Sequence, residues 1–339
     1  MVGIVRTVLT RAAVIVAAMA IPACTATAAP PVPVQPVAPT QRETRTPPPT
    51  PEPADVAANE LGLVPVLMYH RLVATPETVY DRTPDAFRAE LVRLAREDYV
   101  PVTAARYVDG DLDVPAGKHP VVLTFDDGDP SQFALDAAGE PVAGTAVSIM
   151  REVAAEYPAF QPVATFFVNQ DPFGDPGGKR TLPWLAERGM EIGNHTATHA
   201  NLAQSTRDTV QQEILVQDKA IREAGVTPGT LAFPFGAQPD DPGLALKGAG
   251  YTYRGAFLVG ANPAPSPHSM DFDPAAIPRI RSQDATGPDS QYCSTVWLDT
   301  LAATPGERYT SDGHPERISY PAGTTRTPVP TVADRAEPY

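Results

Sequence analysis

The sequence contains very little cysteine, with only Cys24 and Cys293 among 339 residues. Cys24 lies at the end of an N-terminal apolar run, which leaves a single cysteine in the body of the chain. No internal disulfide can form there, so the fold must rest on a buried core. The 42% hydrophobic composition is sufficient for one large domain or two small ones.

Basic residues are also scarce. The chain has 26 lysines and arginines against 40 acidic residues, a formal net charge of −14, and no basic cluster. This balance makes nucleic acid and anionic membrane surfaces poor partners, whereas neutral or cationic partners are easier to accommodate. We see no internal repeats, and we expect a monomer.

The apolar run near the N-terminus, "AAVIVAAMAIPAC", is too short to be a permanent membrane helix. It follows Arg6 and Arg11 and has the form of a signal-peptide core, so residues 1–23 are predicted to be a signal peptide. Small residues before Cys24 resemble a bacterial lipobox, which predicts lipidation of Cys24 and a lipoprotein on the outer face of the cell membrane. The alternative is ordinary cleavage after Ala28, with secretion to the cell wall or medium.

Proline is concentrated in one segment, with ten prolines between Pro30 and Pro53. Such a stretch favours extended polyproline geometry, so residues 24–60 are predicted to be a linker. Residues 61–285 form the predicted main domain. Residues 286–339 form a C-terminal extension, rich in turn residues, for which a strap packed on the domain is the simplest interpretation.

Within the domain, continuously apolar strand-like runs alternate with helical patterns. One predicted helix is capped by Thr83, and a later one is capped by Ser205 and ends at Gly225. This alternation predicts an α/β fold, a distorted (β/α) barrel with seven or eight parallel strands. Active sites of such barrels lie at the carboxyl ends of the strands. Those ends carry the following polar positions: His70, Asp126, Asp127, Asn169, His195 and the loop after Phe235.

Two histidines four residues apart, His195 and His199, are notable in a chain with only six. With a carboxylate from elsewhere they can hold Zn²⁺ or another divalent ion. Adjacent acids at the end of a buried strand, Asp126 and Asp127, repel one another unless a cation lies nearby. Each signal is weak alone, because histidine pairs and Asp-Asp-Gly turns are common in loops.

Taken together, "LTFDDG", "NHTATH" and "FPFG" resemble the motifs of the NodB-type polysaccharide deacetylases, in the right order and strand context. The resemblance covers roughly residues 62–282. It implies that Asp127, His195 and His199 bind the metal and that Asp126 is the catalytic base. It also implies that the loop after the third motif donates a backbone N–H, that of Phe235, to the oxyanion.

The chain departs from the main family in two places. Ala232 stands where most members have an arginine that orients the base, and the late motif with a catalytic histidine is missing. The opening "VPVLMYHRL" instead resembles a circularly permuted branch that includes the poly-N-acetylglucosamine deacetylases. That resemblance assigns the acid role to His70, whose imidazole we expect to stay protonated near neutral pH. Arg281 or Arg279 is then the candidate for orienting Asp126.

The function implied is metal-dependent hydrolysis of N-acetyl groups, or less readily O-acetyl groups, on a cell-envelope or extracellular polysaccharide with N-acetylhexosamine units. The alternative is a non-catalytic surface lipoprotein that binds glycan or zinc on the same fold. A long polar loop directly after the first motif is expected to shape the substrate groove.

Overall fold

The structure is a computed structural model that describes residues 51–339. The strands are β1 (Val66–Tyr69), β2 (Tyr99–Val102), β3 (His119–Asp127), β4 (Thr165–Val168), β5 (Glu191–Asn194), β6 (Thr230–Ala232), β7 (Lys247–Gly248), β8 (Tyr251–Thr252), β9 (Gly255–Phe257), β10 (Ile280–Arg281), β11 (Ile318–Tyr320) and β12 (Ala336–Pro338). The α-helices are α1 (Pro84–Arg96), α2 (Ala104–Val108), α3 (Ala146–Glu156), α4 (Thr181–Ala186), α5 (Arg207–Glu223), α6 (Gly243–Leu246) and α7 (Ser294–Ala303).

The central sheet has eight strands in the order β10-β1-β3-β4-β5-β6-β9, with β2 paired to the first half of β3. Every pairing in this sheet is parallel. Ile277 bridges to Phe257 of β9, and Ile280 pairs with Leu67 of β1, so the segment 277–281 spans both ends of the sheet. The sheet therefore curls into a distorted barrel, and the prediction of a (β/α) barrel is confirmed.

Helix α1 shows how the sequence pattern produces this packing. Thr83 caps it by accepting a hydrogen bond from the Ala86 N–H, as predicted, and Phe87 and Leu91 are fully buried on its inner face. Removing one such side chain typically costs about 2–5 kcal/mol. The predicted cap of α5 is wrong by one residue, because it is Thr206 that accepts from the Thr209 N–H.

Within the predicted domain, the short strand β2 and the helix α2 that follows it have no counterpart in the sequence-based prediction. The run "YVPV" of β2 contains Pro101, which lacks the N–H that an internal strand position requires. Strand β2 pairs only with β3 and so tolerates the proline.

Both flanks of the predicted domain belong to the folded body. Residues 53–56 form a 3-10 helix, and Ala58, Asn59 and Glu60 are buried, so the predicted end of the linker at residue 60 is wrong. Asn59 exchanges backbone hydrogen bonds with Thr310 of the extension, which packs along the amino ends of the strands. The rest of the linker, the predicted signal peptide and Cys24 lie outside the described residues. No helix among residues 51–339 has the length and apolar character needed to cross a membrane.

Candidate metal and catalytic centre

The three sequence motifs meet at the carboxyl ends of β3, β5 and β6, where the backbone is locally strained. Nine described non-glycine residues adopt a positive φ, and four of them lie in these motifs. They are Asp127 (76°), Thr196 (65°), His199 (57°) and Phe235 (59°). Such conformations cost on the order of 1–3 kcal/mol each and cluster at functional sites. The strain therefore marks the same rim that the motifs mark.

Asp127, His195 and His199 form a compact set of three ligand atoms, all within 4.8 Å of one another. The Nε2 atoms of both histidines lie 3.5 Å from Asp127 Oδ1. Three ligands at about 2.0–2.1 Å from one tetrahedral Zn²⁺ are separated by roughly 3.3 Å. The spacing thus fits a divalent cation, as the sequence predicted for these residues.

His195 is held in the tautomer that a metal ligand needs. Its Nδ1 lies 2.9 Å from the carbonyl oxygen of Ala232, so this nitrogen carries the proton and donates it. The Nε2 lone pair is consequently free to face Asp127. The residue is 1% exposed, and its hydrogen bond to the backbone of β6 fixes the orientation of the ring.

Asp126 lies just inside the barrel, 1% exposed, and is bound by Arg279, which is fully buried. The two guanidinium Nη atoms donate to the two carboxylate oxygens at 2.6 Å each. Burial alone raises the pKa of Asp126, but the Arg279 charge and these bonds outweigh burial and hold it well below its usual range. Asp126 is therefore an ionised carboxylate, the state that a general base requires.

Of the two candidate arginines, only Arg279 reaches Asp126. Its Nε donates to the Leu258 carbonyl at 2.7 Å, and Nη1 also contacts Thr124 Oγ1 at 3.1 Å. Arg281 instead donates to Gln283 Oε1, so its candidacy is wrong. Alternate residues of a regular strand point to the same face, so Arg279 and Arg281 would both face the interior if the strand continued. The departure of Arg281 follows from its position at the end of β10, where the chain leaves the sheet.

His70 reaches the same rim from the carboxyl end of β1. Its Nε2 lies 3.9 Å from Asp126 Oδ2, and its ring centroid lies 4.9 Å from that of Tyr80. Burial lowers the pKa of His70 and outweighs the attraction of Asp126 and Asp127. The expectation of a protonated imidazole near neutral pH is therefore not supported by this environment, although the position of the ring agrees with the predicted role.

Phe235 occupies the tight turn after β6, and its side chain is 63% exposed against the ring of His199, with ring centroids 4.5 Å apart. Within residues 51–339, its N–H makes no turn or loop hydrogen bond to backbone. A free N–H at this turn is available to an oxyanion, so the predicted role of Phe235 stays a geometrically reasonable prediction.

Two further side chains hold the site together; sequence reasoning missed Gln132 and placed Asn169 on the rim without assigning it a role. Gln132, fully buried in the loop after the first motif, donates to the carbonyl oxygens of His70 and Asp126. Asn169 donates to the carbonyl oxygens of His195 and Thr196 at 2.6 and 2.9 Å. Neither belongs to a motif. The position of Asn169 directly after β4 was a usable signal, whereas nothing in the local pattern pointed to Gln132.

Comparisons with known proteins agree with this centre. A family model described as polysaccharide deacetylase matches residues 113–254, a range that contains all three motifs but begins after β1 and His70. Over 146 residues, the chain is 28% identical to a chitooligosaccharide deacetylase of Bradyrhizobium sp. (strain ANU 289). That match covers 42% of this chain and 57% of the relative, so it spans little more than half of the curated protein.

Two solved structures share the fold. A polysaccharide deacetylase from Bacillus cereus matches with a TM-score of 0.53 at 22% identity, covering 69% of each chain. The Streptococcus pyogenes deacetylase PplD matches with a TM-score of 0.50 at 22% identity, covering 67% of this chain and 96% of that one.

Fold and site together define the class of protein, a parallel (β/α) barrel with an Asp-His-His set that could hold a metal ion beside an Arg-bound carboxylate. Within that class, residues 113–254 of the chain match the polysaccharide deacetylase family model.

Proposed function

We propose that this protein is a metal-dependent hydrolase that removes N-acetyl groups, or less readily O-acetyl groups, from a cell-envelope or extracellular polysaccharide. The observation that carries the proposal is the adjacency of two different carboxylates at one strand end. Asp127 faces two histidines and suits a cation, whereas Asp126 is paired with Arg279 and suits proton transfer. Hydrolysis of an acetamide needs both functions within one site.

The residues divide the chemistry as follows. Asp127, His195 and His199 would hold the divalent ion, most simply Zn²⁺, which supplies Lewis acidity toward the acetyl carbonyl and the attacking water. Asp126 accepts the proton of that water, and Arg279 keeps the carboxylate ionised and oriented. The Phe235 N–H donates to the oxygen of the acetyl carbonyl as negative charge develops there.

His70 donates a proton to the leaving nitrogen in this proposal. Because burial lowers its pKa, it takes up that proton during the reaction, from the water that Asp126 deprotonates. An amine anion is a very poor leaving group, so amide hydrolysis needs a general acid. The position of His70 Nε2 3.9 Å from Asp126 supports this role. The other described histidines outside the triad lie elsewhere: His119 is hydrogen-bonded to the Tyr309 carbonyl, and His268 and His314 line a cavity beside Tyr309. The placement of the acid on the first strand supports assignment to the permuted branch of the family.

A non-catalytic lipoprotein that binds glycan or zinc is the rival interpretation. A binding protein has no need of a buried carboxylate held ionised by a fully buried arginine. Pairing two charges in a protein interior generally costs more in desolvation than it returns, which favours a functional reason for Asp126 and Arg279.

The deciding experiment measures acetate release from peptidoglycan, chitooligosaccharides, poly-N-acetylglucosamine and acetylated xylan, with and without added Zn²⁺. We expect release from at least one N-acetylated glycan and loss of release in His199→Ala together with its bound metal. Absence of release from every substrate, or full metal content in His199→Ala by elemental analysis, contradicts the proposal.

The role of His70 is tested with two substrates. His70→Ala should keep its metal and lose about 10²–10⁴-fold in acetamide hydrolysis, the range typical of a general acid. Hydrolysis of an activated acetate ester should fall much less, because its leaving group needs no proton. A wild-type rate on the acetamide rejects the assignment, as does the same loss on both substrates.

Export is a further part of the proposal and rests on the N-terminal sequence alone. We expect the wild type in the membrane fraction and Cys24→Ala in the medium. A wild type that is wholly soluble in the medium favours ordinary cleavage after Ala28 over lipidation.

A further inference from the structure

A small polar cavity of about 90 Å³ lies at the opposite end of the barrel from the catalytic rim. It is bounded by Glu60, which precedes β1, by the loop after α2, and by the C-terminal extension from Tyr309 to Arg335. Tyr309 is anchored at the amino ends of the strands, since its N–H donates to Leu63 and its carbonyl oxygen contacts His119 Nδ1. Most of the cavity is thus built by segments outside the range of the family match.

His268 lines this cavity and is 5% exposed. Its ring lies directly against Gly110, where an added Cβ would come within 2.8 Å of the ring. Gly110 also has a φ of 73°, a conformation that favours glycine, and its missing side chain leaves room for the imidazole. Within residues 51–339, neither ring nitrogen of His268 makes a side-chain or backbone hydrogen bond. A buried imidazole without a protein partner, on the wall of a polar cavity, is suited to a ligand.

The charges around the cavity cancel. Asp111 is paired with Arg106, and Arg317 is paired with the buried Asp312. The two remaining charged groups have opposite signs, Asp113 and Arg335, and neither has an ion-pair partner among the described residues. The lining therefore has no net preference for an ion of either sign.

The buried titratable groups add hydrogen-bonding capacity without charge. Burial, followed by the nearby Asp312, raises the pKa of Glu60 to about 8. Burial, together with the Arg335 charge, lowers the pKa of His268 to about 4. Near neutral pH both side chains are uncharged. The Glu60 oxygens already accept from Tyr309 and Ser319, so the His268 ring offers the free donor and acceptor.

An ion is a poor occupant of this cavity. An anion would approach Asp113, and a cation would approach Arg317 and Arg335. Among the described residues, the only set of three or more side chains that could hold a metal is Asp127, His195 and His199, so the cavity lacks a metal cluster. An apolar ligand would leave the His268 nitrogens without partners.

We propose that this cavity is a second, non-catalytic binding site for one uncharged, hydroxyl-rich sugar unit of a glycan. Hydroxyl groups both donate and accept, so they satisfy the neutral imidazole and the opposed Asp113 and Arg335. The volume accommodates several waters, or the polar edge of one sugar ring. A site at this end would let the protein hold a polymer without occupying the catalytic rim. The inference goes beyond the proposed deacetylation and does not require it.

The test is a titration with chitotetraose by calorimetry in an Asp126→Asn background, which prevents turnover. We expect two binding events, the weaker with a Kd of about 1 mM or above, as is reasonable for a small wet site. Asp113→Ala/Arg335→Ala should weaken one event at least tenfold. Asp334→Ala, an exposed neighbour that does not line the cavity, should leave both events unchanged.

His268→Leu is the second variant, and its fold is checked by thermal unfolding. It should abolish the same binding event that Asp113→Ala/Arg335→Ala weakens. Identical isotherms for the parent and both cavity variants overturn the proposal, as does competition by inorganic phosphate or Zn²⁺ for the weaker event. Loss of acetate release in the wild type with this binding intact would refute only the proposed catalytic function.

Discussion

Two acidic side chains lie buried at opposite ends of the barrel, Asp126 at 1% exposure and Glu60 at 4%. Burial raises the pKa of each, but their partners differ. Arg279 donates to both oxygens of Asp126 and holds its pKa well below the usual range. Glu60 faces the buried Asp312 and, among the described residues, no arginine or lysine within ion-pair distance, so its pKa rises to about 8.

The contrast shows that depth of burial does not decide what a carboxyl group does. Asp126 is kept charged beside the metal triad, at a cost in desolvation that only a function explains. Glu60 is kept neutral and joins the chain before β1 to the extension, since its Oε2 accepts the Ser319 N–H at 2.8 Å. The first is the reactive group of the proposed function, and the second is part of a structural seam.

The largest expected effect is on turnover, and it distinguishes the role of Asp126 from that of the adjacent Asp127. Asp126→Asn should keep metal and lose about 10²–10⁴-fold in turnover, because an amide cannot accept the proton of the water. Asp127→Asn should lose metal first, as one of three ligands. Elemental analysis and acetate release on both variants check this, and equal metal loss in the two would show that their roles do not differ.

The next largest effect is on stability. It tests the Arg279 guanidinium, which pairs with Asp126 and has no counterpart beside Glu60. Arg279→Met leaves Asp126 buried without its partner and should lower the free energy of unfolding by about 3–5 kcal/mol. The matched control is Arg281→Met in the same strand, for which we expect a change below about 1 kcal/mol, because Arg281 is partly exposed and contacts Gln283 and the Tyr80 ring. Chemical denaturation of both variants measures the difference. Similar losses would contradict the assignment of Arg279.

A smaller effect concerns the pH dependence of stability. The folded pKa of Glu60 is raised from 4.5 to about 8, so the folded state binds more protons than the unfolded state between these values. Stability from this group is complete below about pH 4.5 and falls as pH rises toward 8, by a few kcal/mol at most. Glu60→Gln should remove this fall, making the variant more stable than wild type at pH 9 and about equal at pH 4. A wild-type pH profile in the variant would show that Glu60 is not the titrating group.

The smallest expected effect is a shift in the pH midpoint of this stability loss, caused by replacing Asp312 beside Glu60. Asp312→Asn removes the negative charge that helps to raise the pKa of Glu60. The midpoint of the pH-dependent loss of stability should therefore move to lower pH, even if the variant is weaker overall because Arg317 loses its partner. Unfolding curves collected across pH 4 to 9 give this midpoint. A midpoint that stays in place would assign the raised pKa to burial alone.

The sequence by itself determined the barrel and predicted the candidate metal ligands. Continuously apolar runs such as that of β1 are sufficient to predict parallel strands, because both faces of such strands are buried. Asp127, His195 and His199 were assigned because their motifs resemble those of a known family, and the carboxyl ends of parallel strands place them at one edge. Local signals were less precise where neighbours competed, as with Ser205 and Thr206 at the start of α5, and where a proline obscured β2.

Only the tertiary structure decided the partners of the buried charges. Arg279 and Asp126 are 153 positions apart in the chain, and no local pattern distinguishes Arg279 from Arg281. The choice depends on which guanidinium the closing strand turns toward the interior. Likewise, Glu60 reads as the end of a linker until Ser319 and Asp312, more than 250 positions away, enclose it. Such contacts follow from the closure of the barrel and the path of the extension, which periodicity and propensity do not specify.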